Sequence, residues 1–414
     1  MFFFALCMLG VSTAAFASPS VWHVHLALSS DPTQMHVQWT SVEAPASDAK
    51  AIVQFGLSAG GLTQSATGYS WTYLDAGQRR TYYFSQASMT GLSPGTTYYY
   101  RVGDGESTWS AVSSFTATRT AAQMAAPQRP LTIAFLGDLG YANGQATPFL
   151  VNASAAQQYD HYVHVGDYAY DLPTANGTNG DLFETSIEPI TAAAPYMGCE
   201  GNHEGGGGFG HYSNRFAVFA GDNSSGATPP IPGLDPQGSQ WNNHWYSYNV
   251  GLVHFVAMSS EAYFFYNGKE LQYAWLEADL KAVDRQKTPW VVVYGHRSIY
   301  CSCDGDCDGA ATALRDGPLG MEGLLNRYKV DLWINAHEHD YERNYAVINH
   351  TLATGASSGK PGGNAQSPEV LTNPTAPIYI IEGCAGDSEG HEPFTRPQPE
   401  YSAYRSNTYG FGRM

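Results

Sequence analysis

The chain has 414 residues, more than one hydrophobic core normally supports, so we expect two domains, the larger with room for a buried active site. Its formal net charge of −17 at pH 7 disfavours electrostatic binding to nucleic acid or to an anionic membrane, because both require a cationic protein surface. A bound phosphate group must therefore be held by something other than an excess of basic side chains.

The first segment, residues 2–17, is apolar and ends in the small-residue pattern Ala15-Phe16-Ala17. This pattern predicts a signal peptide over residues 1–17. No Lys or Arg precedes the apolar run, so an uncleaved anchor is the alternative, but about 16 apolar residues are short for a membrane span. We expect a protein that is secreted to the outside or to a vacuolar or lysosomal compartment, with no membrane anchor after cleavage.

The sequons and the cysteines are consistent with passage through the secretory pathway. Four Asn-x-Ser/Thr sequons fit passage through a glycosylating compartment, and they lie at Asn152, Asn176, Asn223 and Asn349. Removal of the signal peptide leaves five cysteines, so an oxidising compartment leaves one unpaired, and the sequence alone does not assign the pairing. These cysteines are Cys199, Cys301, Cys303, Cys307 and Cys384.

Residues 18–117 show short β-type runs between turn signals, which predict an all-β sandwich. The expected strands are 22–28, 35–40, 52–55, 82–87, 97–102 and 112–116. Residues 118–130 lack hydrophobic periodicity and contain two prolines, so we expect a linker there.

Beyond the linker, wholly apolar runs alternate with helical patterns. The runs suit strands covered on both faces and lie at 131–136, 162–165, 290–294, 332–334 and 378–381. Helical stripes are expected at Leu271, Trp275, Leu276, Leu280 and Val283, and at Leu324, Leu325 and Tyr328. The alternation predicts an α/β domain with layered sheets, in which ligands bind beyond the carboxyl ends of the strands.

Side chains that commonly bind metals follow five of the expected strands. In chain order they are Asp138, Asp167 with Tyr170, Asn202 with His203 and Glu204, His296, and His337 with His339. A Gly-Asp pair alone is most often a turn in which the carboxylate bonds its own backbone. Five such strand ends in one domain would require five coincidences under that reading, so we interpret them as one site.

The residue types in this pattern point to a two-metal centre. Imidazole, carboxylate and phenolate groups suit iron, zinc or manganese, and one carboxylate can bridge two ions about 3.5–4 Å apart. His337 and His339 are two residues apart, so they share one face of an extended strand, whereas at a strand-to-loop turn they reach different metals.

In this order the motifs resemble those of the purple acid phosphatases, members of the calcineurin-like metallophosphoesterase superfamily. The resemblance extends from about residue 20 to the end and rests on GDxG, GDxxY, GNH(D/E), a lone His after an apolar strand, and GHxH, in which Ala336 replaces the first glycine. Tyr170 is the residue that separates this family from its relatives. Residues 92–104 similarly resemble the fibronectin-III-like domain of the larger members.

The resemblance implies a layered α/β metallophosphoesterase β-sandwich flanked by helices and preceded by an all-β fibronectin-III-like sandwich. The expected order is signal peptide 1–17, fibronectin-III-like domain 18–117, linker 118–130 and catalytic domain 131–414. The family stretch that residues 401–414 resemble is normally followed by a further strand, so we expect the catalytic domain to be incomplete at its C-terminal end.

The resemblance also implies the cofactors and the reaction. A ferric ion is expected on Asp138, Asp167, Tyr170 and His339. A divalent ion (Zn, Mn or Fe(II)) is expected on Asp167, Asn202, His296 and His337. Carboxylates and a phenolate suit the trivalent ion, and an amide with two imidazoles suits the divalent one. The implied activity is that of an acid phosphatase, in which a metal-bound hydroxide attacks small phosphate monoesters. Homodimer formation is left open.

His203 has no expected metal, so we predict that it binds the phosphate or protonates the leaving oxygen, with a purely structural histidine as the alternative.

After His296 the substrate-facing histidine pair of plant-type members is absent, and residues 301–308 occupy its place in the sequence. Their acidic spacing lacks the EF-hand pattern, so we expect a disulfide-pinned loop. Two readings stay open: a relative acting on diesters, pyrophosphates or inositol phosphates (a phytase), and an inactive truncated binding protein.

Overall fold

The computed structural model describes residues 21–41, 43–44, 50–75, 77, 79–125, 129–220, 242–353 and 373–414. The predicted signal peptide and the sequon at Asn223 lie outside these residues. The other three sequon asparagines, Asn152, Asn176 and Asn349, are exposed. Within the described ranges, no helix combines the length and the apolar character that crossing a bilayer requires.

The N-terminal part forms two four-stranded antiparallel sheets, with the orders β1-β2-β6-β5 and β4-β3-β7-β8. The strands are β1 (Val21–Leu28), β2 (Met35–Ser41), β3 (Ile52–Gly56), β4 (Gln64–Thr67), β5 (Tyr69–Asp75), β6 (Arg80–Met89), β7 (Thr97–Gly103) and β8 (Ser113–Thr116). Inward side chains of both sheets, such as Trp39 and Phe115, share one core. The predicted all-β sandwich is confirmed.

All six strands predicted for this part are present, although β8 begins one residue later than expected. Two further strands, β4 and β5, were not predicted. β4 has no buried side chain, so it carries no hydrophobic signal. β5 buries Tyr73 and Asp75 at alternate positions, a pattern that the sequence analysis overlooked.

The expected linker contains a short helix, α1 (Ala121–Met124). Thr120 and Gln123 form a capping box, in which Gln123 N donates to Thr120 Oγ1 at 3.3 Å and Thr120 N donates to Gln123 Oε1 at 2.8 Å. Arg119 is buried and donates to both carboxylate oxygens of Asp160, with Nη2–Oδ2 at 2.7 Å. This segment is therefore tied to the second part of the chain.

The second part is built from twelve strands and six helices among the described residues. The strands are β9 (Ile133–Leu136), β10 (His161–Val165), β11 (Tyr196–Cys199), β12 (Tyr246–Val250), β13 (Val253–Ala257), β14 (Trp290–Tyr294), β15 (Leu332–Asn335), β16 (Tyr341–Ile348), β17 (Thr351–Leu352), β18 (Ile378–Glu382), β19 (Ser402–Ser406) and β20 (Gly412–Arg413). The helices are α2 (Thr147–Ala155), α3 (Thr178–Thr191), α4 (Gly210–Arg215), α5 (Lys269–Ala282), α6 (Ala310–Arg315) and α7 (Met321–Arg327).

Two sheets form the layers of this part. One has the order β11-β10-β9-β20, and the other has the order β12-β13-β14-β15-β18-β16-β17 with β19 beside β16. Side chains from both sheets, such as Val163 and Val292, belong to one core cluster. Strands β9, β10 and β11 are mutually parallel, as are β13, β14, β15 and β18. The predicted layered α/β fold is confirmed.

The predicted helical stripes lie on α5 and α7, with one correction. On α5 the members that pack against the core are Trp275, Leu276 and Leu280, and Val283, directly after the helix, packs with them. Leu271 is 42% exposed, so its inclusion was wrong. Its neighbour Gln272 is buried instead, because its side-chain amide pairs with the backbone of Ser259 through bonds of 2.6 and 2.8 Å.

The cysteine loop between β14 and α6 is closed by a disulfide between Cys301 and Cys307, which confirms the predicted disulfide-pinned loop. The free cysteines in the described part of the chain are Cys199, Cys303 and Cys384, and all three are buried.

Candidate metal centre

Side chains from five strand ends meet at one edge of the layered sheets. They are Asp138 after β9, Asp167 after β10, Asn202 after β11, His296 after β14, and His337 and His339 after β15. β9, β10 and β11 run parallel, and so do β14 and β15, so the strands of each set deliver their carboxyl ends together. Tyr170 and His203 join the same contact network, so all eight predicted site residues lie together.

The backbone turns sharply at four of these positions. The φ angles of Asp138, Asp167, Tyr170 and His337 are 55°, 53°, 54° and 72°, in the left-handed region that residues other than glycine seldom adopt. Such conformations cost about 1–3 kcal/mol each and persist only where the surroundings enforce them. One such contact is a hydrogen bond in which His337 N donates to Asp138 Oδ2 at 2.8 Å and joins the end of β9 to the end of β15.

One side of the site holds Asp138, Tyr170 and His339. The Tyr170 hydroxyl lies 2.8 Å from His339 Nε2 and 3.3 Å from Asp138 Oδ1, and His339 Nε2 lies 3.7 Å from the same carboxylate oxygen. His339 Nδ1 lies 2.9 Å from the carbonyl oxygen of Gly390. Because a carbonyl only accepts hydrogen bonds, Nδ1 carries the ring proton, and Nε2 presents a lone pair to the site.

The other side holds Asp167, Asn202, His296 and His337. Ligand atoms of Asp167, His296 and His337 all lie within 4.8 Å of one another. His296 donates through Nδ1 to the carbonyl oxygen of Val165 at 2.9 Å, so Nε2 is its free position. That Nε2 lies 3.2 Å from Asp167 Oδ2 and 3.0 Å from Asn202 Oδ1. Three electron-donating atoms so close together require a proton or a metal cation among them.

The electrostatics of the site favour the binding of cations. Burial, followed by the charges of Asp167 and Asp387, raises the pKa of Asp138 well above its usual value. Burial and the carboxylates of Asp138 and Asp167 likewise raise the pKa of Tyr170. Ionised forms of these groups are therefore stable only beside cations. Two carboxylates, a phenol, an amide and three imidazoles at this edge fit two small cations of the iron or zinc type.

Asp167 differs from Asp138 in its surroundings. Burial, the largest single influence, raises its pKa, but the charge and the hydrogen bond of His296, with a smaller contribution from His203, together lower it by more. The net pKa of Asp167 lies below its usual value, so this carboxylate is the ionised one.

Glu204 supports the site in a role that the sequence analysis did not assign. Its buried carboxylate accepts hydrogen bonds from the backbone N–H groups of Asp167 and Gly201 at 2.9 Å each, and of Tyr168 at 3.0 Å. These hydrogen bonds connect the turn after β10 with the turn after β11. The sequence did single out Glu204 as the last residue of the GNH(D/E) motif, but the motif does not show which groups this side chain contacts.

Arg297 is a second supporting residue that was missed. It donates through Nη1 to His337 Nε2 at 2.9 Å, and its Nε pairs with the buried carboxylate of Glu261 at 2.9 Å. Burial, His296 and Arg297 hold the pKa of His337 well below its usual value, so the ring is neutral, as a metal ligand must be. The sequence signal was only the position of Arg297 next to His296.

His203 lies at the rim of the site. Its backbone N–H donates to Asp167 Oδ1 at 2.9 Å, and its ring lies 4.5 Å from the Tyr170 ring, measured between centroids. Nδ1 is 3.3 Å from Asp171 Oδ1, and Nε2 is 3.6 Å from Glu389 Oε1. Burial lowers the pKa of His203, but Asp167, Glu204 and Asp171 raise it by more, so the net shift is upward.

Three stretches of the chain match known families. Residues 21–117 match the purple acid phosphatase N-terminal domain, residues 131–341 match the calcineurin-like phosphoesterases, and residues 376–414 match the family described as iron/zinc purple acid phosphatase-like protein C. The chain belongs to the purple acid phosphatase family. The resemblance found in the motifs is thereby confirmed, and this purple acid phosphatase family member is a phosphatase with a dimetal centre.

Individual relatives cover nearly the whole chain. Human acid phosphatase type 7 is 35% identical over 425 residues, which span 99% of this chain and 88% of the human protein. Purple acid phosphatase 15 of Arabidopsis thaliana is 28% identical over 471 residues, which span 94% of this chain and 79% of the plant protein. The structure of a purple acid phosphatase from yellow lupin seeds superposes with a TM-score of 0.67 at 22% identity, covering 95% of this chain and 70% of the lupin chain, and supports the fold.

Proposed function

We propose that this chain is a secreted acid phosphatase that hydrolyses phosphate monoesters at a centre of Fe(III) and a divalent ion, Zn(II), Mn(II) or Fe(II). The observation that carries the proposal is the sorting of the donors. One side gathers anionic donors with one imidazole: Asp138, Tyr170 and His339. The other gathers neutral donors around one carboxylate: Asn202, His296 and His337 around Asp167. The first set suits a hard trivalent ion and the second a divalent ion.

In this proposal Asp167 would help to hold both ions. When bound, the ions neutralise charge on the phosphate group and lower the pKa of a water molecule. The residues around the site orient the side chains that would bind the ions. The carbonyl groups of Val165 and Gly390 orient the two imidazoles, and Glu204 holds the turn that carries Asp167.

His203 is our candidate for general acid. Its side chain is 20% exposed at the rim, where a leaving group can reach it. An imidazolium donates its proton readily in acid, and the carboxylates of Asp171 and Glu389 favour that charged form. His203 would then protonate the departing oxygen, and this step matters most for basic leaving groups.

Secretion is part of the proposal. It is supported by the apolar segment at residues 2–17 and by the exposed asparagines of the sequons at Asn152, Asn176 and Asn349. We expect these asparagines to carry glycans when the chain passes through a glycosylating compartment.

A steady-state assay of the iron- and zinc-loaded enzyme tests the activity, with a phosphate monoester, a diester, pyrophosphate and an inositol phosphate compared in acid and at neutral pH. We expect the highest kcat/KM on the monoester in acid. A preference for one of the other substrates would replace the monoesterase proposal by the corresponding activity. Two bound metals with no hydrolysis of any substrate would leave a binding protein.

Asp167→Asn is the matched variant for this assay, because it keeps the shape of the side chain and removes its charge. Loss of the shared carboxylate should abolish both hydrolysis and the stoichiometric binding of two metals. Near-normal turnover with two metals bound would contradict the assignment of Asp167 as the bridge.

A further inference from the structure

A second cluster of potential metal ligands adjoins the dimetal centre. One ligand atom from each of Cys301, Cys303, Cys307 and Glu338 lies within 4.8 Å of the others, and all four residues are buried. None of them belongs to the ligand set proposed above. Glu338 lies between His337 and His339 in the sequence, so the cluster is adjacent to the dimetal centre.

Cys303 contributes a third sulfur atom beside the disulfide. Its Sγ lies 3.5 Å from Cys307 Sγ and 3.2 Å from Glu338 Oε2. The loop backbone keeps this arrangement in place, because Gly305 N donates to Cys303 Sγ at 3.4 Å and Asp306 N donates to Glu338 Oε2 at 3.1 Å. Three sulfur atoms and a carboxylate are thus gathered within one pocket of the loop.

Asp340 is a further buried carboxyl group next to this cluster. Its side chain is fully buried, and among the described residues neither carboxylate oxygen makes a hydrogen bond of normal geometry. The Cys303 thiol and the Glu338 carboxylate both act electrostatically on it. Two carboxyl groups and a thiol are therefore buried together beside the disulfide.

We propose that Cys301, Cys303, Cys307 and Glu338 form a redox-dependent site for one soft divalent cation of the zinc type. In the disulfide form, Cys301 and Cys307 bond to each other and are not available as thiolates. After reduction, three thiolates and one carboxylate make up the ligand set of a closed tetrahedral zinc site. Zn–S and Zn–O bonds of about 2.3 and 2.0 Å put tetrahedral S and O ligands about 3.5 Å apart, close to the observed Cys303–Glu338 contact.

A dithiol reductant converts one form into the other. It supplies two electrons and two protons, the Cys301–Cys307 bond breaks, two thiols form, and the reductant becomes a cyclic disulfide. The arriving cation then displaces three thiol protons to solvent. A small disulfide reverses the process by taking up two electrons and two protons to give two small thiols.

Cobalt(II) distinguishes this site from the dimetal centre, since only thiolate ligands give a strong near-ultraviolet sulfur-to-cobalt charge-transfer band. None of the proposed dimetal ligands contains sulfur, so the test is independent of the phosphatase proposal. The full chain is reduced anaerobically with a dithiol, separated from the reductant and titrated with cobalt. We expect one equivalent of cobalt to produce the band, zinc to displace it, and oxidised glutathione to abolish it.

Cys303→Ser removes one proposed thiolate and should weaken cobalt binding at the band-forming site at least about tenfold, with a smaller band. Cys199→Ala is the matched control, because Cys199 is a free buried cysteine outside the cluster and its loss should leave the band unchanged. The proposal is overturned by a reduced wild-type chain without the band, by an equal band before reduction, or by an unchanged band in Cys303→Ser. The comparison of oxidised with reduced wild type decides the matter even if the variant does not fold.

Discussion

The carboxylate of Glu204 holds the backbone of Asp167, since Glu204 Oε2 accepts the Asp167 N–H at 2.9 Å. The same oxygen accepts the N–H of Gly201 at 2.9 Å, directly before Asn202. One buried side chain therefore sets the positions of two candidate ligands without being one itself. The loss of a group that positions ligands in this way typically lowers metal affinity about 10–100-fold.

Glu204→Gln tests this contact. The glutamine amide has one accepting oxygen, so at least one of the three N–H bonds is lost and the amide N–H₂ faces a backbone donor. We expect the free energy of unfolding to fall by about 1–3 kcal/mol and metal affinity to fall about 10–100-fold, measured by urea denaturation and by metal content after dialysis. Glu270→Gln, at an exposed position on α5, is the control. Unchanged metal affinity would show that the contact does not position the ligands.

Tyr170→Phe tests the chromophore. The variant keeps the ring and removes the oxygen that lies 2.8 Å from His339 Nε2, so the visible phenolate-to-iron band of the iron-loaded enzyme should disappear while some hydrolysis persists. Tyr168→Phe is the matched control. The Tyr168 hydroxyl lies 3.4 Å from the carbonyl oxygen of His164, within the core, and its removal should leave the band in place. A coloured Tyr170→Phe enzyme would mean that another residue supplies the chromophore.

His203→Ala tests acid catalysis. An alkyl phosphate releases a basic alkoxide that needs a proton, whereas nitrophenolate leaves without one, so the loss of kcat should be about 10²–10⁴-fold larger on the alkyl substrate. Both metals should remain bound. His350→Ala, in the exposed turn after β16, is the control. Equal losses on both substrates with a higher KM would identify His203 as a binding residue instead.

His161 predicts a pH dependence of stability. Its ring is fully buried between Tyr248 and Phe255, and neither nitrogen has a hydrogen-bond partner among the described residues. Burial lowers its pKa to about 4, and the charge of Asp160 opposes this only in part. The unfolded chain therefore binds more protons, so the stabilising contribution is complete above pH 6.5 and is lost as the pH falls towards 4.

His161→Phe removes this proton linkage and retains a ring of similar size. The free energy of unfolding of the variant minus that of the wild type should increase by up to about 3 kcal/mol when the pH is lowered from 7 to 4. Urea denaturation of both proteins at both pH values measures this difference. Parallel pH profiles for the two proteins would show that His161 is not neutral in the folded chain.

Local patterns in the sequence were sufficient for most of the fold. Runs such as 290–294 and 378–381 are strands in the structure. They could be predicted because the strands of a parallel sheet lie between other layers and therefore read as continuous apolar runs. The failures have equally local reasons. β4 has no buried residue and therefore no hydrophobic signal. Leu271 fits the helical period, but it was replaced in the core by Gln272, whose hydrogen bonds with Ser259 depend on a neighbouring turn.

The sequence by itself determined which side chains stand at the ends of buried strands, because a polar motif directly after an apolar run is a local pattern. It therefore predicted all eight candidate site residues, and the order of the motifs resembled that of the family. Only the tertiary structure decided which atoms face one another. The tautomers of His296 and His339 depend on the carbonyl groups of Val165 and Gly390, which lie 131 and 51 residues away along the chain. Such contacts arise from the pairing of distant strands and loops, and no local pattern of residues encodes them.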